Sequence, residues 1–242
     1  MMKTNERIDR LIKEGLSIIQ NDEVFSFSTD ALLLAHFVRP IKKGRVMDLC
    51  SGNAIIPLLL SDKMTVPIEG IEIQPALVDI ARRSVTLNEL DNQIQIHEGD
   101  LRTVNQSVLP SQYDIVTCNP PYFRENQSFQ HLKEAHRIAR HEIFCTLDDC
   151  ISASRHLLKQ GGRLYMVHRA DRLVDCLVSM RQGGIEPKAI WQIYSRPDKP
   201  TAVTIVIEAV KGGKPDCKVM PPFYIYQNDG DYSEEMHEVY YG

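Results

Sequence analysis

Asn119-Pro120-Pro121-Tyr122 follows directly on the apolar run Tyr113-Asp114-Ile115-Val116-Thr117-Cys118. The two prolines fix φ at consecutive positions and restrict the residue before each, so the backbone here is stiff. Asn119 Oδ1 and the Pro120 carbonyl are two hydrogen-bond acceptors on that backbone, and Tyr122 adds an aromatic plane. A flat substrate with an exocyclic NH2 suits the group: the acceptors take its hydrogens and Tyr122 stacks on its ring. Asn-Pro-Pro is also an ordinary turn former, so the tetrapeptide alone leaves a purely structural role open. Its place at the end of an apolar strand favours chemistry, because open α/β sheets bind ligands at the carboxyl ends of their strands.

Three carboxylates occupy comparable places. Asp48 opens the compact turn Asp48-Leu49-Cys50-Ser51-Gly52-Asn53-Ala54, Glu72 lies in Gly70-Ile71-Glu72-Ile73-Gln74, and Asp100 in Glu98-Gly99-Asp100-Leu101. Glu72 comes 20 residues after Gly52, the spacing at which an acid reaches the hydroxyls of a ribose lying across the first turn. Asp100 would accept from the amino group of an adenine. Each acid taken singly is as readily a helix cap or a solvated loop carboxylate. At three successive strand ends they form a nucleoside crevice. A dinucleotide would require G-x-G-x-x-G, yet this turn has one glycine and no phosphate-loop Lys-Ser/Thr appears anywhere. S-adenosylmethionine, which carries no phosphate, fits better.

The elements that must hold these groups alternate along the chain. Residues 5–20 carry Ile8, Leu11, Ile12, Leu16 and Ile19 at a helical period, with Lys3, Arg7 and Arg10 on the other side. That reading leaves Gly15 without a role. A second helix is expected over 30–38. Strands are expected at 44–49, 66–71, 94–97, 113–118 and 163–168, with helices at 54–60, 75–90, 130–142, 146–159 and 171–182 between them. Thr146 is the expected N-cap of one helix, and Gly161-Gly162 its stop. Two last strands, 189–195 and 202–210, are joined by Arg196-Pro197-Asp198-Lys199-Pro200, too short for a parallel crossover. The expected fold is therefore α/β and Rossmann-like. It has a mostly parallel seven-stranded sheet, helices on both faces and a C-terminal antiparallel hairpin. One domain is expected over 1–242, with a helical N-terminal extension (1–43), a catalytic core (44–210) and an acidic, tyrosine-rich C-terminal segment (211–242) without clear periodicity.

At 242 residues, 43% hydrophobic and 25% charged, the chain can build a full core. No apolar run approaches the roughly 20 residues that cross a bilayer, and the first residues do not form a signal-peptide core. Six cysteines lie scattered without a C-x-x-C pair, and neither they nor the eight histidines show zinc spacing. Reduced thiols, no metal, a cytoplasmic location and a monomer are the expectations. The net charge of −4 offers no global attraction to nucleic acid. A local basic patch does: Arg124, then Lys133, Arg137 and Arg140 on one face of the 130–142 pattern, beside the Asn-Pro-Pro-Tyr motif. A solvated helix face has the same appearance.

From Phe27-Ser28-Thr29-Asp30-Ala31-Leu32-Leu33-Leu34 through the Asp48 turn to Asn119-Pro120-Pro121-Tyr122-Phe123 and Ala139-Arg140-His141-Glu142, the chain resembles the class I S-adenosylmethionine-dependent methyltransferases. The resemblance covers residues 28–210. The tetrapeptide is similar to the motif of amino-methyltransferases acting on adenine N6 or on glutamine. Within them the chain looks like the small bacterial enzymes that methylate adenine N6 beside the anticodon of valine tRNA. The resemblance implies that Asp48, Ser51 and Gly52 line the methionine end of the cofactor. It implies likewise that Glu72 holds the ribose, Asp100 with Leu101 the adenine, that Thr29 and Asp30 close over the cofactor, and that Cys50, Ile73 and Asn119 belong to the same cofactor site. The family fingerprint has three glycines around the first turn, and this chain has Cys50 and Ala54 at two of those places. A glutamine methyltransferase acting on a translation release factor would use the same tetrapeptide, but usually carries a larger helical N-terminal domain. DNA adenine methylation would want a separate target-recognition domain. A non-catalytic cofactor- or RNA-binding module is the reading from another class.

Overall fold

The protein is described from a computed structural model, which covers residues 2–11, 15–21, 28–121 and 145–241. Its N-terminal part is not the helix expected over 5–20. β1 (Glu6–Leu11) and β2 (Leu16–Asn21) pair as an antiparallel hairpin, with Glu6 opposite Asn21 and Leu11 opposite Leu16. The same apolar residues satisfy either geometry once the chain reverses. Gly15, at φ +66°, sits in the left-handed region that glycine enters without strain, immediately before β2. The β-branched Ile8, Ile18 and Ile19 suit a strand. The hairpin docks on α3 (Pro75–Leu87). Ile19 N–H donates to Ser84 Oγ at 3.0 Å, Asn88 binds Ser17 N–H and carbonyl, and Arg83 pairs with Glu6. The expected basic stripe is largely consumed: Lys3 pairs with Asp79 at 2.8 Å and Arg7 with Asp9 at 3.1 Å.

α1 (Thr29–Phe37) buries Ala31 to Ala35 in succession and leads into the main sheet. There β3 (Val46–Leu49), α2 (Ile55–Lys63), β4 (Ile68–Glu72), α3 and β5 (Ile94–Glu98) alternate, followed by β6 (Tyr113–Cys118). After residue 145 come α4 (Leu147–Leu157), β7 (Leu158–Arg169), α5 (Leu173–Gln182), β8 (Ile185–Tyr194) and β9 (Thr204–Lys211). Thr146 caps α4 as expected: its hydroxyl accepts from Asp149 N–H while Asp149 accepts from Thr146 N–H. The helix nevertheless stops at Leu157, and Gly161, at φ +78°, bends the first part of a long β7. The expected helix at 130–142 lies outside the described residues.

The sheet runs β8-β9-β7-β6-β3-β4-β5 across its long strands. The pairs from β5 through β7 are parallel, and β9 lies antiparallel between β7 and β8. The seven long strands are those expected. Two short ones, β10 (Lys218–Val219) and β11 (Phe223–Tyr224), run parallel to the edge of β8 and bring the sheet to nine. Successive residues face opposite layers. Val46, Ile115, Tyr165 and Val206 join α1 and α2 in one apolar cluster, whereas Met47, Val116, Leu164 and Ile207 join α4 and α5 in another.

The C-terminal segment is ordered as well. α6 (Glu234–Tyr241) buries Met236 and Val239 against the α1 side, and Tyr226, Tyr232 and Tyr240 stack at 5.1–5.2 Å. The signal missed was the spacing of Met236, Val239 and Tyr240, behind Ser233 as a cap that accepts from Met236 N–H. Among the described residues no helix is long and apolar enough to cross a membrane.

Gly15 distinguishes the hairpin from the helix. Among the described residues nothing lies within 4 Å of a Cβ placed there, so the backbone is what responds. In the hairpin, Gly15→Ala should lower stability by about 1 kcal/mol, whereas in a helix it would raise it by about as much. Urea unfolding reads the sign.

Candidate active site

The sheet register brings the two sequence motifs together. Leu49 of β3 stands opposite Cys118 of β6 and, on its other side, opposite Ile71 of β4. The turn starting at Cys50 and the loop starting at Asn119 therefore leave neighbouring parallel strands at one level. The turn is tightly held: Ser51 N–H donates to the Ile71 carbonyl at 3.0 Å and Ala54 N–H to the Ser51 carbonyl at 2.9 Å. Three of its residues are left-handed, Cys50 (φ +58°), Gly52 (φ +57°) and Ala54 (φ +67°). The cysteine and alanine thus follow the backbone path that glycine would take. Gly70 makes room from below, since a Cβ there would lie 2.5 Å from Ser51 Oγ.

Glu72, at the end of β4, accepts from Gly52 N–H at 2.9 Å through one oxygen and from Gln74 N–H at 2.9 Å through the other. Each carboxylate oxygen keeps a second lone pair. Asp48 is wholly buried and accepts from the Thr117 hydroxyl at 2.6 Å, across the β3–β6 pair. Burial pushes its carboxyl up to about 7, against the pull of Thr117. Among the described residues its other oxygen, Oδ2, makes no well-formed hydrogen bond, although the Ser51 hydroxyl lies close enough to act on the carboxyl, and neither polar atom of the buried Asn53 makes one. Unpartnered polar atoms at such depth cost free energy unless a ligand satisfies them.

Other expected residues gather less completely. Asp100 follows β5 on the same edge, but both its oxygens are engaged by Arg102, at 3.0 Å and 2.8 Å to Nε, which holds its carboxyl below the usual range. An adenine amine would have to share or displace that pair. Leu101 beside it is buried, and Ile73 is half-buried. Thr29 and Asp30 open α1, where Asp30 accepts from Thr204 of β9 at 3.1 Å. Asn119 and Pro121 are half-buried and Pro120 is buried. Tyr122 and the basic residues Arg124, Lys133, Arg137 and Arg140 lie outside the described residues. Thr117 and Gly70 were missed, although a threonine inside an apolar strand and a glycine within a β-branched one were visible signals.

Residues 15–181 match the family model described as methyltransferase small domain. The chain belongs to that family. Over 210 residues this methyltransferase is 27% identical to a protein of Yersinia pseudotuberculosis serotype O:3 (strain YPIII) named tRNA1(Val) (adenine(37)-N6)-methyltransferase, covering 86% of this chain and 81% of the relative. The protein of that name from Yersinia pestis (strain Pestoides F) is also 27% identical over 210 residues, with 86% and 82% covered. Among solved structures, a predicted O-methyltransferase from Agrobacterium tumefaciens superposes with a TM-score of 0.68 at 20% identity, over 87% of this chain and 95% of that one. Geranyl diphosphate C-methyltransferase from Streptomyces coelicolor A3(2), in complex with S-adenosyl-L-homocysteine, gives 0.55 at 11% identity over 75% and 76%. These likenesses carry the fold.

S-adenosylmethionine is the cofactor of this methyltransferase. The crevice fits it. The buried Asp48 and Asn53 atoms offer hydrogen-bonding capacity at the turn, and Gly70 lets the turn sit low enough to cradle a ligand.

The buried acid has a pH signature. An aspartate in an unfolded chain titrates near 3.9, so between about pH 4 and 7 the native protein keeps a proton that the unfolded chain loses. Stability from this group therefore falls as pH rises through that window. Asp48→Asn removes the effect while keeping an acceptor for Thr117. Relative to wild type, the variant should gain stability from about pH 4 to pH 7 in urea titrations and level off above that. A gap that stays constant with pH would contradict the raised titration.

Proposed function

We propose that this methyltransferase places a methyl group on the exocyclic N6 amine of an adenosine in RNA, most specifically a tRNA adenosine next to the anticodon. The observation that carries the reading is the position of Asn119-Pro120 at the carboxyl end of β6, one strand from the Asp48 turn. The two Yersinia relatives, with that activity in their names, support it.

S-adenosylmethionine, when bound, supplies an electrophilic methyl group. The chain's own residues do the rest. Asp48, Ser51 and Gly52 hold the amino-acid end, Glu72 and Ile73 the ribose, and Leu101 with Asp100 the base, while Cys50 shapes the turn. Asn119 Oδ1 and the Pro120 carbonyl accept the two hydrogens of the substrate amine. An aromatic amine is a poor nucleophile because its lone pair is shared with the ring. Two fixed acceptors favour its tetrahedral form and stabilise the positive charge that grows on it. No strong base is required before attack, because the cationic product releases its proton readily. Tyr122 stacks on a base that is flipped out or already unpaired. Arg124, Lys133, Arg137 and Arg140 contact phosphates of the folded RNA. Such a substrate puts the enzyme in the cytoplasm.

Incubation with methyl-labelled S-adenosylmethionine and bulk tRNA, rRNA or a release-factor preparation tests the assignment. Label in N6-methyladenosine of tRNA is expected, whereas label in glutamine would transfer the activity to a protein substrate. Asn119→Ala should slow methyl transfer about 100-fold while cofactor affinity changes little. A rate within a few-fold of wild type would remove the acceptor mechanism. Reversing the charge of Arg137 and Arg140 together should weaken RNA binding and flatten its salt dependence. Unchanged affinity at low salt would return those residues to a structural role.

A further inference from the structure

Four of the six cysteines converge behind the cofactor turn. Cys50 begins that turn, Cys118 ends β6 directly before Asn119, Cys145 precedes the Thr146 cap, and Cys150 lies in the first turns of α4. The sulfurs of Cys50, Cys118 and Cys150 all lie within 4.8 Å of one another. Cys145 Sγ is 3.8 Å from Cys50 Sγ and 3.6 Å from Cys150 Sγ. Cys118 and Cys150 are fully buried, the other two are half-buried, and all four are free thiols.

A separation near 3.7 Å is also that of two thiols in contact, so a single pair would mean nothing. The number and origin of the thiols matter more. They come from three separate stretches of the chain: Cys50, Cys118 and Cys150 form the mutually close group and Cys145 lies against two of its members, where an aliphatic core would be served equally well by valine or alanine. A tetrahedral zinc thiolate centre, with Zn–S of about 2.3 Å, spaces its sulfurs about 3.8 Å apart. The cluster also lies at the N-terminus of an eleven-residue helix, α4. Its dipole favours the negative charge that four thiolates around one Zn2+ would carry.

We propose that Cys50, Cys118, Cys145 and Cys150 form a structural site for one Zn2+ ion. With four protein ligands it is closed to substrate, so its role is positional rather than chemical. It fastens the cofactor turn, through Cys50, to the strand end that presents Asn119, through Cys118. Cys145 and Cys150 tie the return of the chain to the same point. Sequence spacing could not reveal the site, because only Cys145 and Cys150 are near each other in the chain.

The test is metal content. Full-length protein, produced in zinc-supplemented medium and purified without a metal-affinity step, is gel-filtered and measured by mass spectrometry of its elements. Metal-stripped protein is titrated with Co2+ alone and read by visible absorption. One zinc per chain is expected, with the intense visible bands and near-ultraviolet thiolate charge-transfer band of tetrahedral cobalt. Cys118→Ser with Cys150→Ser should lose both signals. Cys217→Ser, at an exposed cysteine outside the cluster, should keep both. If the double variant does not fold, the wild-type cobalt spectrum still decides. Wild-type protein that is folded by circular dichroism yet binds neither zinc nor cobalt overturns the proposal. So does peptide mapping that finds these cysteines joined as disulfides in the purified protein, or copper in place of zinc.

Discussion

A single buried hydrogen bond, from the Thr117 hydroxyl to the Asp48 carboxylate, holds the two halves of the site in register. It joins β3 to β6 one residue before the first leaves for the cofactor turn and the second for Asn119. Backbone pairing alone would align the strands, but this contact also fixes where the acid points in a layer that offers it no water. It cannot satisfy the carboxylate completely, and among the described residues the second oxygen makes no well-formed hydrogen bond. A buried carboxylate oxygen of this kind is costly unless a polar group meets it, and a bound ligand can supply one.

The turn above it carries a second cost. Left-handed backbone at a residue with a Cβ costs about 1–2 kcal/mol, and both Cys50 and Ala54 adopt it. Strain of this kind persists only where surroundings over-determine it, and it clusters at ligand sites. Here the surroundings are explicit: the bonds to Ile71 and Glu72, the space left by Gly70, and the buried α2 that Ala54 opens.

Much of this architecture was legible in the residues because local signals agreed. Proline at the start of α3, the Thr146 capping box and apolar strands between helices all pointed the same way, and the strand ends followed. What escaped depended on distant parts of the chain. The pattern at Ile8, Leu11, Leu16 and Ile19 fits a helix until Gly15 is read as a reversal, and docking on Ser84 and Asn88 then selects the hairpin. The occupation of Asp100 by Arg102 is a contact two residues away that spacing rules ignore. The gathering of four thiols depends on the order of strands, which no local period encodes.

The packing of α6 reaches furthest in sequence. Met236 and Val239 belong to the same apolar cluster as Leu33 and Leu34 of α1, so residues some 200 positions apart complete one core. β9 adds to this by threading between β7 and β8. A nascent chain emerging from the ribosome can pair β3, β4 and β5 early, but it exposes the outer face of α1 until residue 239 has appeared. For that interval one face of the apolar core stays uncovered, and its closure waits on residues synthesised some 200 positions after α1.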